Sequence, residues 1–134
     1  MGLVIDSSVL IQFERHAGST GELRQVAAEP LAISAITISE LCFGLYRADS
    51  SGRRRRRETF IESILNTLPV LSFDLPAARV HAEIWSSLAA AGQMIGAHDL
   101  IISATAMSRG FGVLTANVRE FSRVSGLEVR QLSW

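Results

Sequence analysis

Three carboxylates of this chain lie in unusually apolar surroundings. Asp6 directly follows an apolar run, Asp99 directly precedes one, and Glu40 lies within the apolar stretch 36–44. A structural role at a helix start would also account for Asp6 and Asp99. It would not account for Glu40, which has no basic residue three or four positions away on a helix. Because burying an unpaired charge is costly, Glu40 calls for a partner from elsewhere.

A divalent metal ion is the partner that three neighbouring carboxylates would require. Mg²⁺ and Mn²⁺ prefer carboxylate and water ligands, and a bound metal can lower the pKa of water and offset charge at a phosphodiester under attack. All thirteen basic residues are arginines, which excludes any mechanism that needs a lysine. The one cysteine and the three scattered histidines lack zinc spacing. The composition therefore favours a hydrolase that works through carboxylates and a metal.

Short apolar runs alternate with longer helical stretches along the chain. Strands are predicted at residues 3–5, 31–36, 70–73, 113–115 and 127–132. Helices are predicted at residues 7–14, 22–29, 37–47, 53–68, 74–92, 99–109 and 117–121. This alternation indicates an α/β protein with a parallel sheet covered on both faces. Ligands of such sheets bind at the carboxyl ends of the strands, which picks out Asp6 and Asn117, although Asn117 could equally be a helix cap.

The length of 134 residues suits a single domain that spans residues 1–134. Hydrophobic residues make up 48% of the chain, but no apolar run reaches the ~18 residues of a membrane span. An acid at position 6 and the lack of a basic start argue against a signal peptide, so we expect a cytoplasmic protein. Phe60 and Trp85 lie at helical core spacing and are expected to be packing residues.

Four stretches of the sequence resemble the motifs of PIN-domain ribonucleases, specifically the VapC toxins of toxin–antitoxin pairs. These stretches are residues 4–8, 34–44, 95–104 and 114–121, in that order along nearly the whole chain. The resemblance implies a three-layer α/β/α sandwich with a central parallel sheet. It also implies an endoribonuclease that depends on Mg²⁺ or Mn²⁺ and cleaves RNA with metal-activated water. A cognate antitoxin that blocks the site and a homodimer are the implied protein partners.

The resemblance also assigns the central site residues. Asp6, Glu40 and Asp99 match the acidic positions of the family and would be the metal ligands. Asn117 matches the fourth catalytic position, where many relatives carry an acid. Because Asn117 is neutral, the number of bound metals, one or two, stays open.

Supporting roles follow for residues that adjoin these motifs. Ser7 and Thr115 match small hydroxyl positions near the metal. Glu120 lies one helical turn after Asn117 and could add a charge to the same face, although a solvated surface acid is the favoured interpretation. His98 adjoins Asp99 and is expected to be a surface or supporting residue.

Five consecutive arginines could contact the phosphates of RNA or an acidic stretch of the antitoxin. At ~100° per residue they surround the whole helix, so some of them must point away from any one ligand. A solvated first helical turn is the equally favoured alternative. The arginines are Arg53, Arg54, Arg55, Arg56 and Arg57.

Two other functions remain compatible with the motifs. One is a PIN-like RNA- or protein-binding module without catalysis, which the neutral Asn117 favours. The other is a PIN nuclease that acts in RNA processing, or on DNA, outside a toxin–antitoxin system. Receiver domains are excluded because lysine is absent, and haloacid-dehalogenase-type phosphatases because Ser8 stands where they need an aspartate. Serine hydrolases are excluded because the Gly-x-Ser-x-Gly elbow is missing.

Overall fold

Five parallel strands form one sheet in the computed structural model, which describes residues 1–16, 23 and 28–132. The spatial order is β3-β2-β1-β4-β5, and every neighbouring pair is parallel. β1 is the central strand, with Leu3 opposite both Leu31 of β2 and Gly112 of β4. The strands are β1 Leu3–Ile5, β2 Leu31–Ser34, β3 Val70–Leu71, β4 Gly112–Leu114 and β5 Val129–Arg130.

Six helices connect these strands within the described residues. They are α1 Ser7–Arg15, α2 Ala35–Tyr46, α3 Ser51–Thr67, α4 Leu75–Ala91, α5 Ala97–Met107 and α6 Val118–Phe121. Each strand except β5 is followed by at least one helix, as parallel pairing requires. Each of the four connections therefore crosses over, so that every strand begins at the same end of the sheet.

The hydrophobic core lies on both faces of the sheet. Leu3 and Ile5 of β1 point to one face, where they pack with buried side chains of α1, α2 and α3. Val4 points to the opposite face and packs with Ile102 of α5 and Phe121 of α6. On its outer side α5 is covered by α4, through contacts that include Ile84. The predicted α/β/α layering is thus confirmed, with α5 as the central helix.

The ends of several elements differ from the prediction. β2 stops at Ser34 because α2 begins at Ala35, two residues before the predicted strand end. β3 and β5 each comprise only two residues. Most of the predicted helix 22–29 lies outside the described residues. Gly92 ends α4 as predicted, at a left-handed φ of 65° that glycine adopts without strain.

Trp85 is not a core residue, which corrects the prediction from helical spacing. Its side chain is 54% exposed and its ring contacts the edge of His81. The buried side of α4 runs through Ala77, Ile84 and Leu88, so position 85 turns toward solvent. Phe60, by contrast, packs against the core as expected. Within the described ranges, every helix falls short of the length and apolarity needed to cross a membrane.

Candidate active site

Asp6 lies at the carboxyl end of the central strand, where its backbone N–H donates to Leu114 O of β4 at 2.9 Å. It occupies the position before α1, yet its side chain makes no capping hydrogen bond. The capping interpretation of Asp6 is therefore wrong. Its carboxylate is only 4% exposed, and its Oδ2 accepts hydrogen bonds from Ser8 Oγ at 2.7 Å and Thr115 Oγ1 at 2.9 Å.

Backbone N–H groups fix the direction of those two hydroxyls. Ser8 Oγ accepts from the N–H of Ala116 at 3.1 Å, and Thr115 Oγ1 accepts from the N–H of Asn117 at 2.8 Å. Each hydroxyl oxygen thus accepts from the backbone and sends its own proton to Asp6. The β4–α6 connection therefore holds the Asp6 side chain in one orientation.

Glu40 enters the same edge from α2. Its Oε2 lies 3.4 Å from Ser7 Oγ, which donates to it, and 3.4 Å from His98 Nδ1. Its Oε1 is buried and has no hydrogen-bond partner within the described part of the chain. A buried acceptor without a partner is costly, so Glu40 is placed for a ligand that the protein itself does not supply.

Asp99, in the first turn of α5, shares a hydrogen bond with Glu120 of α6. Burial, then this hydrogen bond and the negative charges of Asp6, Glu120 and Glu40 raise the pKa of Asp99 to about 7. Two carboxyl groups can hydrogen-bond only if a proton lies between them. Glu120 is only partly exposed, and the favoured interpretation of it as a solvated surface acid is wrong.

Four carboxylates from four elements therefore face one another at this edge: Asp6, Glu40, Asp99 and Glu120. No described arginine forms an ion pair with any of them. Among the described residues, no group of three or more acids, histidines or cysteines is arranged so that it could hold a metal ion as it stands. The donor set nonetheless fits a hard cation, because it is all oxygen, carries excess negative charge and includes the unpartnered Glu40 Oε1.

The remaining predicted residues divide into those at the site and those beside it. Asn117 is exposed at the same edge, and its side chain makes no capping hydrogen bond, so its capping interpretation is also wrong. Ser7 contacts Glu40, whereas the prediction missed Ser8, the hydroxyl that reaches Asp6. An Asp-x-Ser pattern after a buried strand could have indicated Ser8. It could not separate Ser8 from Ser7, because the side-chain directions depend on the helix that follows.

The arginine run is divided by its contacts. Arg57 forms two 2.8 Å hydrogen bonds with Glu14 and a third, at 3.1 Å, with Leu41 O, so it joins α1, α2 and α3. Arg53 forms an exposed pair with Asp49 at 3.4 Å. Three members are exposed with no acidic partner among the described residues: Arg54, Arg55 and Arg56.

Comparison with known proteins agrees with this geometry. The PIN domain family model matches residues 3–127. This range contains every carboxylate of the site and four of the five strands. The chain therefore belongs to the PIN-domain family.

Relatives within that family are VapC ribonucleases. The chain is 35% identical over 133 residues to ribonuclease VapC1 of Rickettsia felis, covering 99% of this chain and 98% of the relative. It is 36% identical over 131 residues to the tRNA(fMet)-specific endonuclease VapC of Shigella flexneri, with 97% of both chains covered. A crystal structure of DNA-bound VapBC from Salmonella typhimurium superposes with a TM-score of 0.86 at 27% identity, covering 99% of each chain. Within the PIN-domain family, the chain is a VapC ribonuclease.

Proposed function

We propose that this protein is the toxin of a toxin–antitoxin pair and cleaves RNA in a reaction that depends on Mg²⁺ or Mn²⁺. The observation that carries the proposal is the meeting of Asp6, Glu40, Asp99 and Glu120 at one sheet edge, with no described arginine paired to them. Such a cluster is unfavourable for folding alone, because like charges repel and Glu40 Oε1 has no partner. A cation and a phosphodiester substrate would relieve both costs.

Asp6, Glu40 and Asp99 are the proposed metal ligands. When bound, a divalent cation would offset charge at the scissile phosphate and lower the pKa of a water molecule there. Asp6 is pre-oriented by Ser8 and Thr115, so it needs no rearrangement to act as an anionic ligand. Because burial and the neighbouring acids raise the pKa of Asp99 to about 7, a bound cation would favour its ionised form.

Glu120 and Asn117 divide the role of the fourth position. Glu120 supplies the negative charge that neutral Asn117 lacks, one helical turn away on α6. The Asn117 amide is exposed beside it and offers a neutral donor to a phosphate or a base.

A cognate antitoxin is the proposed protein partner. Solved structures that resemble this chain include VapBC proteins from Salmonella typhimurium and Mycobacterium tuberculosis, at 27% and 28% sequence identity. We infer that an antitoxin covers the carboxylate edge in the cytoplasm and that the toxin forms a homodimer. The three exposed arginines Arg54, Arg55 and Arg56 are free to contact an acidic antitoxin or RNA.

Cleavage of a mixed cellular RNA pool tests the proposal. Wild type, Asp6→Asn and the exposed control Glu83→Gln are compared with Mg²⁺, with Mn²⁺ and with a chelator. We expect cleavage by wild type and Glu83→Gln only when metal is present, and none by Asp6→Asn. The ends of the fragments then identify the RNA and the cleaved sequence.

Inactivity of the folded, antitoxin-free wild type with every metal would favour a binding module without catalysis, the function that the neutral Asn117 supports. Cleavage that survives in chelator would contradict the metal-dependent mechanism. Cleavage confined to DNA, or to the processing of a precursor RNA, would place the protein outside toxin–antitoxin function.

A further inference from the structure

A second charged feature lies where α1, α2 and α3 meet. It is a groove of about 600 Å³ lined by five arginines and only two acids. One acid, Glu14, is taken by Arg57, and the other, Asp49, pairs with Arg53. The remaining arginines are exposed and have no acidic partner within the described part of the chain: Arg15, Arg47 and Arg56. We call this feature the arginine groove; it carries an excess of three positive charges.

Two exposed aromatic rings lie on α2, the helix that supplies Gly44 of the arginine groove. Phe43 is 66% exposed and Tyr46 is 74% exposed, and each directly precedes a groove residue, Gly44 and Arg47. Residues three apart lie on the same side of a helix. Exposed rings beside unpaired arginines are typical of surfaces that bind single-stranded nucleic acid, where phosphates meet guanidinium groups and bases stack on rings.

One arginine of the groove, Arg57, is held in place by hydrogen bonds. Its guanidinium donates to the Glu14 carboxylate and to Leu41 O. A Cβ at Gly44 would collide with the Arg57 guanidinium, so a larger residue at this position would require Arg57 to shift. Arg57 and Glu14 thus neutralise each other. Arg15, Arg47 and Arg56 remain available to bind an anion from outside the protein.

The groove is also close to the carboxylate edge, because α2 contributes to both. From Glu40, Gly44 is four residues and ~6 Å along the helix, and Arg47 is seven residues and ~10 Å along it. A polynucleotide strand that occupies the groove would reach the carboxylates within a few nucleotides.

We propose that the arginine groove binds the single-stranded RNA that flanks the cleaved bond. Arg15, Arg47 and Arg56 contact its phosphates, while Phe43 and Tyr46 stack on its bases. This inference rests on the proposed ribonuclease function and names how that site holds its substrate. We favour RNA over a protein partner because the unpaired positive charge comes from several arginines that are spaced around an open groove.

Binding of a fluorescent single-stranded RNA of roughly 12 nucleotides, measured in chelator, tests the proposal without cleavage. The groove variant R15A/R47A/R56A is compared with R79A/R123A, which removes positive charge from two arginines that neither line the groove nor belong to the run Arg53 to Arg57. For single strands the logarithmic salt dependence is about 0.7 per phosphate contact, so we expect its slope to fall by about 2 in the groove variant alone. Melting temperatures establish that both variants are folded.

The aromatic part of the proposal has its own matched control. We expect Phe43→Ala and Tyr46→Ala each to weaken RNA binding by roughly 5- to 100-fold. Trp85→Ala, which removes an equally exposed ring from α4, should leave the affinity unchanged. A duplex of the same sequence should bind more weakly than the single strand, because its bases cannot stack on the two rings.

Equal affinities and equal salt slopes for the groove variant and its control would overturn the proposal and assign the groove to a protein partner. Asp6→Asn separates the two proposals, since it should lose cleavage and keep RNA affinity. If wild type binds RNA through the groove but does not cleave it, only the proposed ribonuclease function is contradicted. Metal-dependent cleavage with unaltered RNA binding in the groove variant would defeat only the inference about the groove.

Discussion

Asp6 and Asp74 occupy the same local position, since each is the last residue before a helix, but their carboxylates are used differently. Asp74 caps α4 by accepting from Ala77 N at 3.1 Å and pairs with Arg109 at 3.1 Å. The Asp6 side chain caps nothing, is 4% exposed and accepts from two hydroxyls, and no arginine of the described residues pairs with it. The charge that surrounds an acid, and not its place in the helix, therefore separates the structural aspartate from the candidate catalytic one.

The largest expected effect is on cleavage. Asp6→Asn should lower the rate of metal-dependent RNA cleavage by more than ~100-fold, because it removes a proposed metal ligand. Loss of a residue that only hydrogen-bonds to a ligand typically lowers activity by ~10- to 100-fold. Asp74→Asn should leave the rate within about twofold of wild type. Single-turnover cleavage assays measure both, and comparable losses in the two variants would erase the distinction between these aspartates.

Removal of a hydroxyl behind Asp6 should have the next largest effect. Thr115→Val deletes the 2.9 Å hydrogen bond to Asp6 at nearly constant volume and should weaken Mn²⁺ binding or cleavage by ~10- to 100-fold. Thr105→Val is the matched control, since that buried threonine bonds only to a carbonyl of its own helix, Ile101 O. Calorimetric Mn²⁺ titration measures the affinity; equal losses in both threonine variants would point to packing instead.

The pH dependence of stability tests whether the acids at the site really repel. The pKa of Asp99 is raised from its ordinary value of 3.8 to about 7 in the folded protein. The folded state therefore binds the proton more tightly, and its free energy of unfolding falls as pH rises from about 4 to about 7. Asp99→Asn faces the same neighbours, Asp6, Glu40, Glu120 and His98, but removes this charge.

In urea unfolding with chelator present, Asp99→Asn should therefore have a free energy of unfolding similar to that of wild type at about pH 5. At about pH 8 its free energy of unfolding should be larger. The advantage should be on the order of 1–2 kcal/mol, because solvent at this partly exposed group screens the repulsion. Added Mg²⁺ should shrink that advantage by stabilising wild type. Parallel stability curves for the two proteins would mean that the carboxylates do not interact.

The smallest expected effect is on stability, for which Asp74 should matter more than Asp6. Asp74→Ala should destabilise the protein by about 1 kcal/mol, the typical value of a lost helix cap, which lowers the melting temperature by about 4 °C for a chain of this size. Asp6→Ala should cost less stability than Asp74→Ala in chelator, because it also removes like-charge repulsion at the site. Thermal unfolding followed by circular dichroism decides this, and a larger loss for Asp6→Ala would contradict it.

The parts of the molecule that sequence could predict are those set by local patterns. Apolar runs of strand length and helical periodicity placed most elements to within two or three residues. The rule that parallel strands end at one edge pointed to Asp6, and apolar surroundings pointed to Glu40 and Asp99. The family motifs added Thr115, and the structure brings all four residues to that edge. That these side chains hold a metal stays a prediction.

The parts that sequence could not predict depend on contacts between distant elements. Glu120 looked like a surface acid because its partner, Asp99, is on another helix. Arg57 looked like one of five equivalent arginines because Glu14, which neutralises it, is 43 residues away. Trp85 looked like a core residue because α4 carries apolar side chains on more than one side. In each case the missing fact was which neighbour the fold supplies.

The hydrogen bond between Thr115 and Asp6 spans 109 residues of sequence, and this spacing has a consequence for synthesis. A chain that emerges from the ribosome presents Asp6 long before the β4–α6 residues. Until β4 has paired with β1, neither the Thr115 hydroxyl nor Glu120 is in place beside the other acids. A chain that has not yet been extended through β4 and α6 therefore lacks the complete cluster, and a producing cell meets the assembled site only after those residues have been translated.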